Sequence, residues 1–251
     1  MEIIAHRGAS FDAPENTLSS VNLAWQQHAD SVEVDVHLSR DGRLVVIHDY
    51  DTRKTAGVRK KVSEQTLAEL KALDVGRWKD RKWTGERIAA LEEVFATVPD
   101  GKRLFVEIKC AAECLPEFAR VVRNSGKRPE QMVAIGFALE TMKAIKQKLP
   151  EIEVCWIAEF KRNWRTGRWS PKPETLIEKA KAANLDGLDL GARGPITPPF
   201  ISQVHDAGLT FYVWTVDSPA KARKLRDAGV NGITTNRPGW LRERLARATD
   251  Q

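Results

Sequence analysis

The stretch FYVWTVDSPAKARKLRDAGVNGITT, residues 211–235, holds a complete strand–helix–strand unit. Phe211–Trp214 is a short aromatic and β-branched run, Ser218-Pro219 is a helix-opening pair, and Ala220–Ala228 carries a helical pattern that Gly229 closes. Gly232–Thr235 is the next strand. A connection long enough to hold a helix lets the second strand run parallel to the first. The same alternation extends towards the N-terminus. Strand candidates stand at Ile3–Ala5, Val32–Val36, Leu44–Ile47, Leu104–Ile108, Met132–Gly136, Val154–Ile157 and Gly187–Leu190. Helical patterns lie at Thr17–Gln27, Leu91–Ala96, Leu115–Arg123, Leu139–Leu149, Pro173–Ala183, Pro199–Ala207 and Trp240–Arg247. Strand alternating with helix implies βαβ units and a parallel sheet. Seven or eight such units in 251 residues predict a (β/α)8 barrel of the TIM type.

Nine strand candidates exceed eight, so one lies outside the regular pattern. Val32–Val36 and Leu44–Ile47 are joined by residues 37–43, too few for a crossover helix, and the barrel is expected to be irregular there. Residues 50–90 read as a small insertion after an early strand, within one domain spanning 1–251. A helical piece over Ser63–Leu73, capped at Ser63, is expected inside it, among basic loops that contain tryptophan.

Hydrophobic residues at 42% supply a core for a chain of this length, and charged residues at 29% do not suggest disorder. No apolar run approaches the ~18 residues of a membrane span, and the opening MEIIAHRGAS lacks a basic-then-apolar signal. Cys110, Cys114 and Cys155 form neither a disulfide framework nor a C-x-x-C pair. Membrane proteins, disulfide miniproteins and structural zinc modules are thereby excluded, and cytoplasmic placement is expected. The net charge of +6 suits anionic partners without choosing among phosphorylated metabolites, nucleic acid and acidic lipid heads.

In a barrel of this kind, chemistry collects at the C-terminal ends of the strands. There the sequence places His6-Arg7, Glu33 and Asp35, His48-Asp49, Glu107 with Lys109, and Trp214. Glu33 and Asp35 are two residues apart and so share one strand face. Singly, each has a bland reading: a core histidine, or an ion network among Glu33, Asp35, Arg7 and Lys109. Jointly, three carboxylates in one barrel mouth repel each other unless a cation holds them. All-oxygen ligands suit Mg²⁺ or Ca²⁺.

These residues carry a resemblance. AHRGAS at Ala5–Ser10, APENT at Ala13–Thr17, VEVDVHLSRDG at Val32–Gly42, LVVIHD at Leu44–Asp49, FVEIK at Phe105–Lys109, YVWTV at Tyr212–Val216 and GVNGITTNRP at Gly229–Pro238 resemble the glycerophosphodiester phosphodiesterase family. GERIAALEEVF at Gly85–Phe95 is similar to the segment that closes the family's insertion. The resemblance runs from residue 5 to about residue 245. It implies a (β/α)8 barrel that hydrolyses glycerophosphodiesters, such as glycerophosphocholine or glycerophosphoethanolamine, to sn-glycerol 3-phosphate and an alcohol. It further implies Glu33, Asp35 and Glu107 as ligands of one divalent cation, Mg²⁺ or Ca²⁺, and His6 and His48 as the general acid–base pair, with either one as the acid. Arg7 and Lys109 match phosphate-contacting positions, and Trp214 is read as a wall of the substrate pocket. Two departures stand out. Ala89-Ala90 replaces a usual proline before Leu-Glu-Glu, and Asn236 stands near the last strand where the family usually has Asp.

A phosphodiesterase of lysophospholipid or phosphatidylinositol type is the alternative reading, and a non-catalytic barrel for phosphorylated ligands or nucleic acid a more distant one. The intact set of histidines and acids favours turnover of a small-molecule substrate, with no nucleic-acid partner and no stable membrane insertion. Trp164 and Trp169, in a loop after Val154–Ile157, either contact a choline head by cation–π attraction or pack against neighbours.

Overall fold

A computed structural model describes residues 1–247. Its strands are β1 (Glu2–His6), β2 (Ser31–Leu38), β3 (Leu44–Val46), β4 (Arg103–Ile108), β5 (Met132–Gly136), β6 (Glu153–Ala158), β7 (Lys161–Arg162), β8 (Trp169–Ser170), β9 (Gly187–Gly191), β10 (Thr210–Trp214) and β11 (Gly232–Thr235). The ring runs β1-β2-β4-β5-β6-β9-β10-β11 and back to β1, with every neighbouring pair parallel. This is the closed eight-stranded barrel that the alternating pattern predicts. The surplus candidate, β3, lies outside the ring and pairs antiparallel with the end of β2, Val36 opposite Val46 and Leu38 opposite Leu44. A short link permits only such a hairpin.

Parallel barrel strands are covered on both faces, so their side chains serve two cores. Ile3, Ala5, Val32, Val34 and Val36 point outward into the shell of helices. Ile4, Phe105, Val133, Ile135, Cys155, Ile157 and Tyr212 fill the interior. Each large apolar side chain buried in this way contributes roughly 1.5–3 kcal/mol. At the N-terminal end Arg103 closes the barrel with ion pairs to Glu2 and Glu153 and a 3.1 Å bond to the Tyr212 hydroxyl. Capping fixes where the helices begin. Thr17 and Ser20 form a capping box for Leu18–Gln26, Thr197 accepts from Phe200 N, and Ser218 from Lys221 N.

The segment over residues 50–90 folds over β3 with its own small core of Val45, Ile47, Val62, Leu70, Val75 and Ile88. The helix expected over Ser63–Leu73 is two pieces, a 3-10 turn at Val62–Glu64 and a helix at Leu67–Lys71. Gln65 breaks it, extended and bonding the Lys60 and Lys61 carbonyls at 3.2 and 3.1 Å. The cap expected at Ser63 is instead Thr66, whose hydroxyl accepts from Glu69 N while Glu69 returns a bond to Thr66 N. Thr66-x-x-Glu69 is the capping-box spacing itself. No helix among the described residues is long and apolar enough to cross a membrane.

Candidate active site

The turn after β1 decides how the site is assembled. Arg7 and Gly8 both adopt left-handed backbone, φ 56° and 78°. A side chain on Gly8 would stand 2.5 Å from the Ser20 backbone, so only glycine fits. The turn aims the Arg7 amide at Glu33 Oε2, which accepts at 2.8 Å. A left-handed arginine is strained, and such strain concentrates where geometry serves function.

Glu33 and Asp35 point inward from β2, and the register sets Asp35 beside Glu107 on β4. All three are buried, and one oxygen from each lies within 4.8 Å of the others. Asp35 is the hub. Asn16 Nδ2 donates to its Oδ2 at 2.8 Å, Arg7 Nε lies 3.1 Å from the same oxygen, and Lys109 Nζ lies 3.1 Å from Oδ1. Lys109 also pairs with Glu107.

Burial, then the charges of Asp35 and Glu107, push the Glu33 carboxyl well above its ordinary range. Burial and then Asp35 push Glu107 up to about 7. Asp35, against the burial that raises it, is held far below its ordinary value by Arg7 and Lys109. Glu33 Oε1 is buried with no hydrogen-bond partner. Three converging carboxylates with an orphaned buried oxygen fit a hard divalent cation, because Mg²⁺ and Ca²⁺ take oxygen ligands and repay the repulsion.

Both candidate histidines line the pocket above this triad. His6 Nδ1 lies 2.7 Å from Asn236 Oδ1. Asn236 is itself oriented by Asp217, to which it donates from Nδ2 at 2.7 Å and from its backbone N at 2.8 Å. With its amide nitrogen committed to Asp217, Asn236 presents an acceptor to His6, so the neutral ring carries its proton on Nδ1 and a lone pair on Nε2. Burial, then Arg7, lowers the His6 pKa and favours this neutral form. His48 Nδ1 lies 2.7 Å from Asp49 Oδ1, a carboxylate that accepts from the ring.

The structure brings all eight sequence-predicted residues together. His6, Arg7, Glu33, His48, Glu107 and Lys109 line a pocket of ≈130 Å³, with Asp35 buried beside them. Its opposite wall is apolar and includes Trp214, whose indole N–H donates to the Asp189 carbonyl at 3.2 Å. Trp164 is 85% exposed at the turn of the β7–β8 hairpin, over Arg165, while Trp169 packs against the core. Neither lines this pocket: Trp169 is a packing residue, and Trp164 stands exposed on the hairpin turn.

Three residues of this site escape the sequence reading. Asn16 fixes Asp35, and Asp217 fixes Asn236. Asp189 on β9 lines the same pocket, buried, with Oδ1 unpartnered and its carboxyl pushed well above its ordinary range by burial and then Glu107. The signal for Asp189 is the lone acid in Gly187–Gly191, GLDLG.

Residues 6–240 match the model of the glycerophosphoryl diester phosphodiesterase family. A glycerophosphodiester phosphodiesterase of Caldanaerobacter subterraneus subsp. tengcongensis is 30% identical over 248 residues, covering 95% of each chain. The structure of an Oleispira antarctica phosphodiesterase, in complex with the product sn-glycerol-3-phosphate, superposes with a TM-score of 0.86 at 26% identity, covering 98% of this chain and 97% of that one. A glycerophosphodiester phosphodiesterase from Agrobacterium tumefaciens gives 0.81 at 25% identity, covering 98% and 99%.

Proposed function

Since the chain belongs to the glycerophosphoryl diester phosphodiesterase family, and is thereby a phosphoric diester hydrolase, we propose that it acts on glycerophosphodiesters such as glycerophosphocholine and glycerophosphoethanolamine. The products are sn-glycerol 3-phosphate and the free alcohol, the former being the product held by the Oleispira antarctica relative. One divalent cation, Mg²⁺ or Ca²⁺, is held by Glu33, Asp35 and Glu107, and His6 and His48 carry the protons.

The observation that carries this reading is the charge inventory of the pocket. As cation ligands all three carboxylates are ionised, and against Arg7 and Lys109 they then sum to −1. A divalent cation raises the site to +1, and a phosphodiester with one negative charge brings it to neutrality. A bound cation supplies positive charge at the phosphoryl oxygens, where negative charge grows during the reaction. Arg7 and Lys109 add donors on the same side. His6, held by Asn236 with its Nε2 lone pair free, takes the proton from the attacking hydroxyl, either that of water, which gives sn-glycerol 3-phosphate directly, or the glycerol 2-hydroxyl, which gives a cyclic phosphate that water then opens to the same product. His48, braced by Asp49, returns a proton to the departing alkoxide. Buried Ile135 and Ile157 give the pocket an apolar side, against which these charges are less screened than in water.

Phosphorus NMR of glycerophosphocholine incubated with the enzyme tests the proposal. Conversion to sn-glycerol 3-phosphate, abolished by chelator and by His6→Ala, is expected. Phosphocholine as the product, or undiminished conversion by His6→Ala, would contradict it.

A further inference from the structure

Trp214 borders two spaces. One is the catalytic pocket of ≈130 Å³; the other is a cavity of ≈390 Å³ lined by Glu159, Arg193 and Lys221. The first is well under the roughly 300–1,000 Å³ of a site that holds a drug-sized ligand. It suits the phosphate-and-glycerol end of a diester and leaves the alcohol outside. The larger cavity is the space available across Trp214.

Its walls come from the C-terminal sides of β6 and β9, neighbours in the barrel. Glu159 follows β6, and Gly191 ends β9; a side chain on Gly191 would stand 3.2 Å from Glu159 Cγ, so glycine keeps this wall clear. Lys221 is committed, donating to the Ala192 carbonyl. Glu159 and Arg193 have no side-chain partner among the described residues. An unpaired carboxylate and an unpaired guanidinium therefore line one cavity beside the reacting centre.

That pairing discriminates among alcohols. Glycerol brings no charge to either group and offers only neutral hydroxyls. Choline or ethanolamine would match Glu159 and leave Arg193 unanswered. An alcohol with both an ammonium and a carboxylate answers both, and the guanidinium fork suits a carboxylate in particular. We propose that this cavity is the subsite of the departing alcohol and that it favours an amino-acid alcohol of the serine type, ammonium on Glu159 and carboxylate on Arg193. The inference rests on the diesterase reading above.

The test is kcat/KM for release of sn-glycerol 3-phosphate from the serine, ethanolamine and glycerol diesters, using the metal-loaded wild type, Glu159→Gln and Arg193→Gln. Both side chains are exposed, so neither substitution disturbs the core. The wild type is expected to prefer the serine ester. A charge-assisted contact implies a loss of about tenfold. Glu159→Gln is expected to lower the serine and ethanolamine esters about tenfold more than the glycerol ester, and Arg193→Gln to lower the serine ester alone to that degree. Equal effects on all three esters, or a wild type indifferent to the alcohol, would overturn the inference while leaving the diesterase reading intact. Release from none of the three would overturn both.

Discussion

Glu107 is the acid whose ionisation offers the sharpest thermodynamic test. Without a cation, burial and then Asp35 raise it from an ordinary 4.5 to about 7. A carboxyl raised in the folded state binds its proton more tightly there than in the unfolded chain. Its stabilising contribution is full below about pH 4.5, declines as pH rises, and levels off above about 7. The difference, 7 minus 4.5, is about 2.5 pH units, or roughly 3 kcal/mol at ~1.36 kcal/mol per unit. At this chain length ~1 kcal/mol moves Tm by ~2–4 °C, so the expected change is about 6–12 °C. His6 and His37, whose pKa values are lowered chiefly by burial, act in the opposite direction as pH rises. Comparing wild type with Glu107→Gln removes their contribution. About 0.8 kcal/mol of the Glu107 contribution is already lost by pH 5, so in scanning calorimetry with chelator wild type is expected to lose about 5–10 °C relative to the variant between pH 5 and pH 8. Saturating Mg²⁺ at pH 8 is expected to restore wild type far more than the variant. A gap between the two proteins that stays constant from pH 5 to pH 8 would mean that the fold does not favour the protonated Glu107.

Further outcomes follow from the same geometry. Asn236→Asp places a carboxylate against His6 Nδ1 and favours the imidazolium, so the acid limb of kcat/KM moves to higher pH; Asn236→Ala lowers kcat by about tenfold or more, read from the pH–rate profile. Arg103→Met leaves Glu2 and Glu153 facing each other at the closed end of the barrel. It is expected to cost about 3 kcal/mol in urea denaturation while kcat/KM stays within about twofold. Asp189→Asn replaces a buried carboxyl that resists ionisation with a neutral amide of the same shape. Relative to wild type, its urea midpoint is expected to rise as pH increases from about 4 to 8.

The barrel is legible in the sequence because a parallel strand covered on both faces is a short apolar run, and the helices between are punctuated by Ser/Thr-Pro starts and glycine stops. Met132–Gly136 and Gly232–Thr235 have the same bounds in both readings, while helices such as Leu18–Gln26 differ by a residue at each end, where turns fray. Glu33, Asp35 and Glu107 are legible because charge in an otherwise apolar strand is costly and so conspicuous. Asp189 is equally costly, but recognising it requires the register that turns its side chain inward from β9. The Asn236–Asp217 support is hidden for another reason: 19 residues separate the two, and only the parallel pairing of β10 with β11 brings their loops together. Glu159 and Arg193 lie on loops, which carry no periodicity to announce a direction. The misplaced cap at Ser63 is a local error, three residues ahead of a Thr-x-x-Glu spacing that was there to be read.

If one cation, held by Glu33, Asp35 and Glu107, enables diester hydrolysis, its binding and the activity rise together. The most direct test titrates Mg²⁺ or Ca²⁺ into metal-free enzyme, following heat of binding and release of sn-glycerol 3-phosphate in parallel. Activity is expected to rise with occupancy and saturate at one equivalent, and Asp35→Asn to lose both signals. Full activity before any cation binds, or activity that requires a second equivalent, would contradict a single enabling cation.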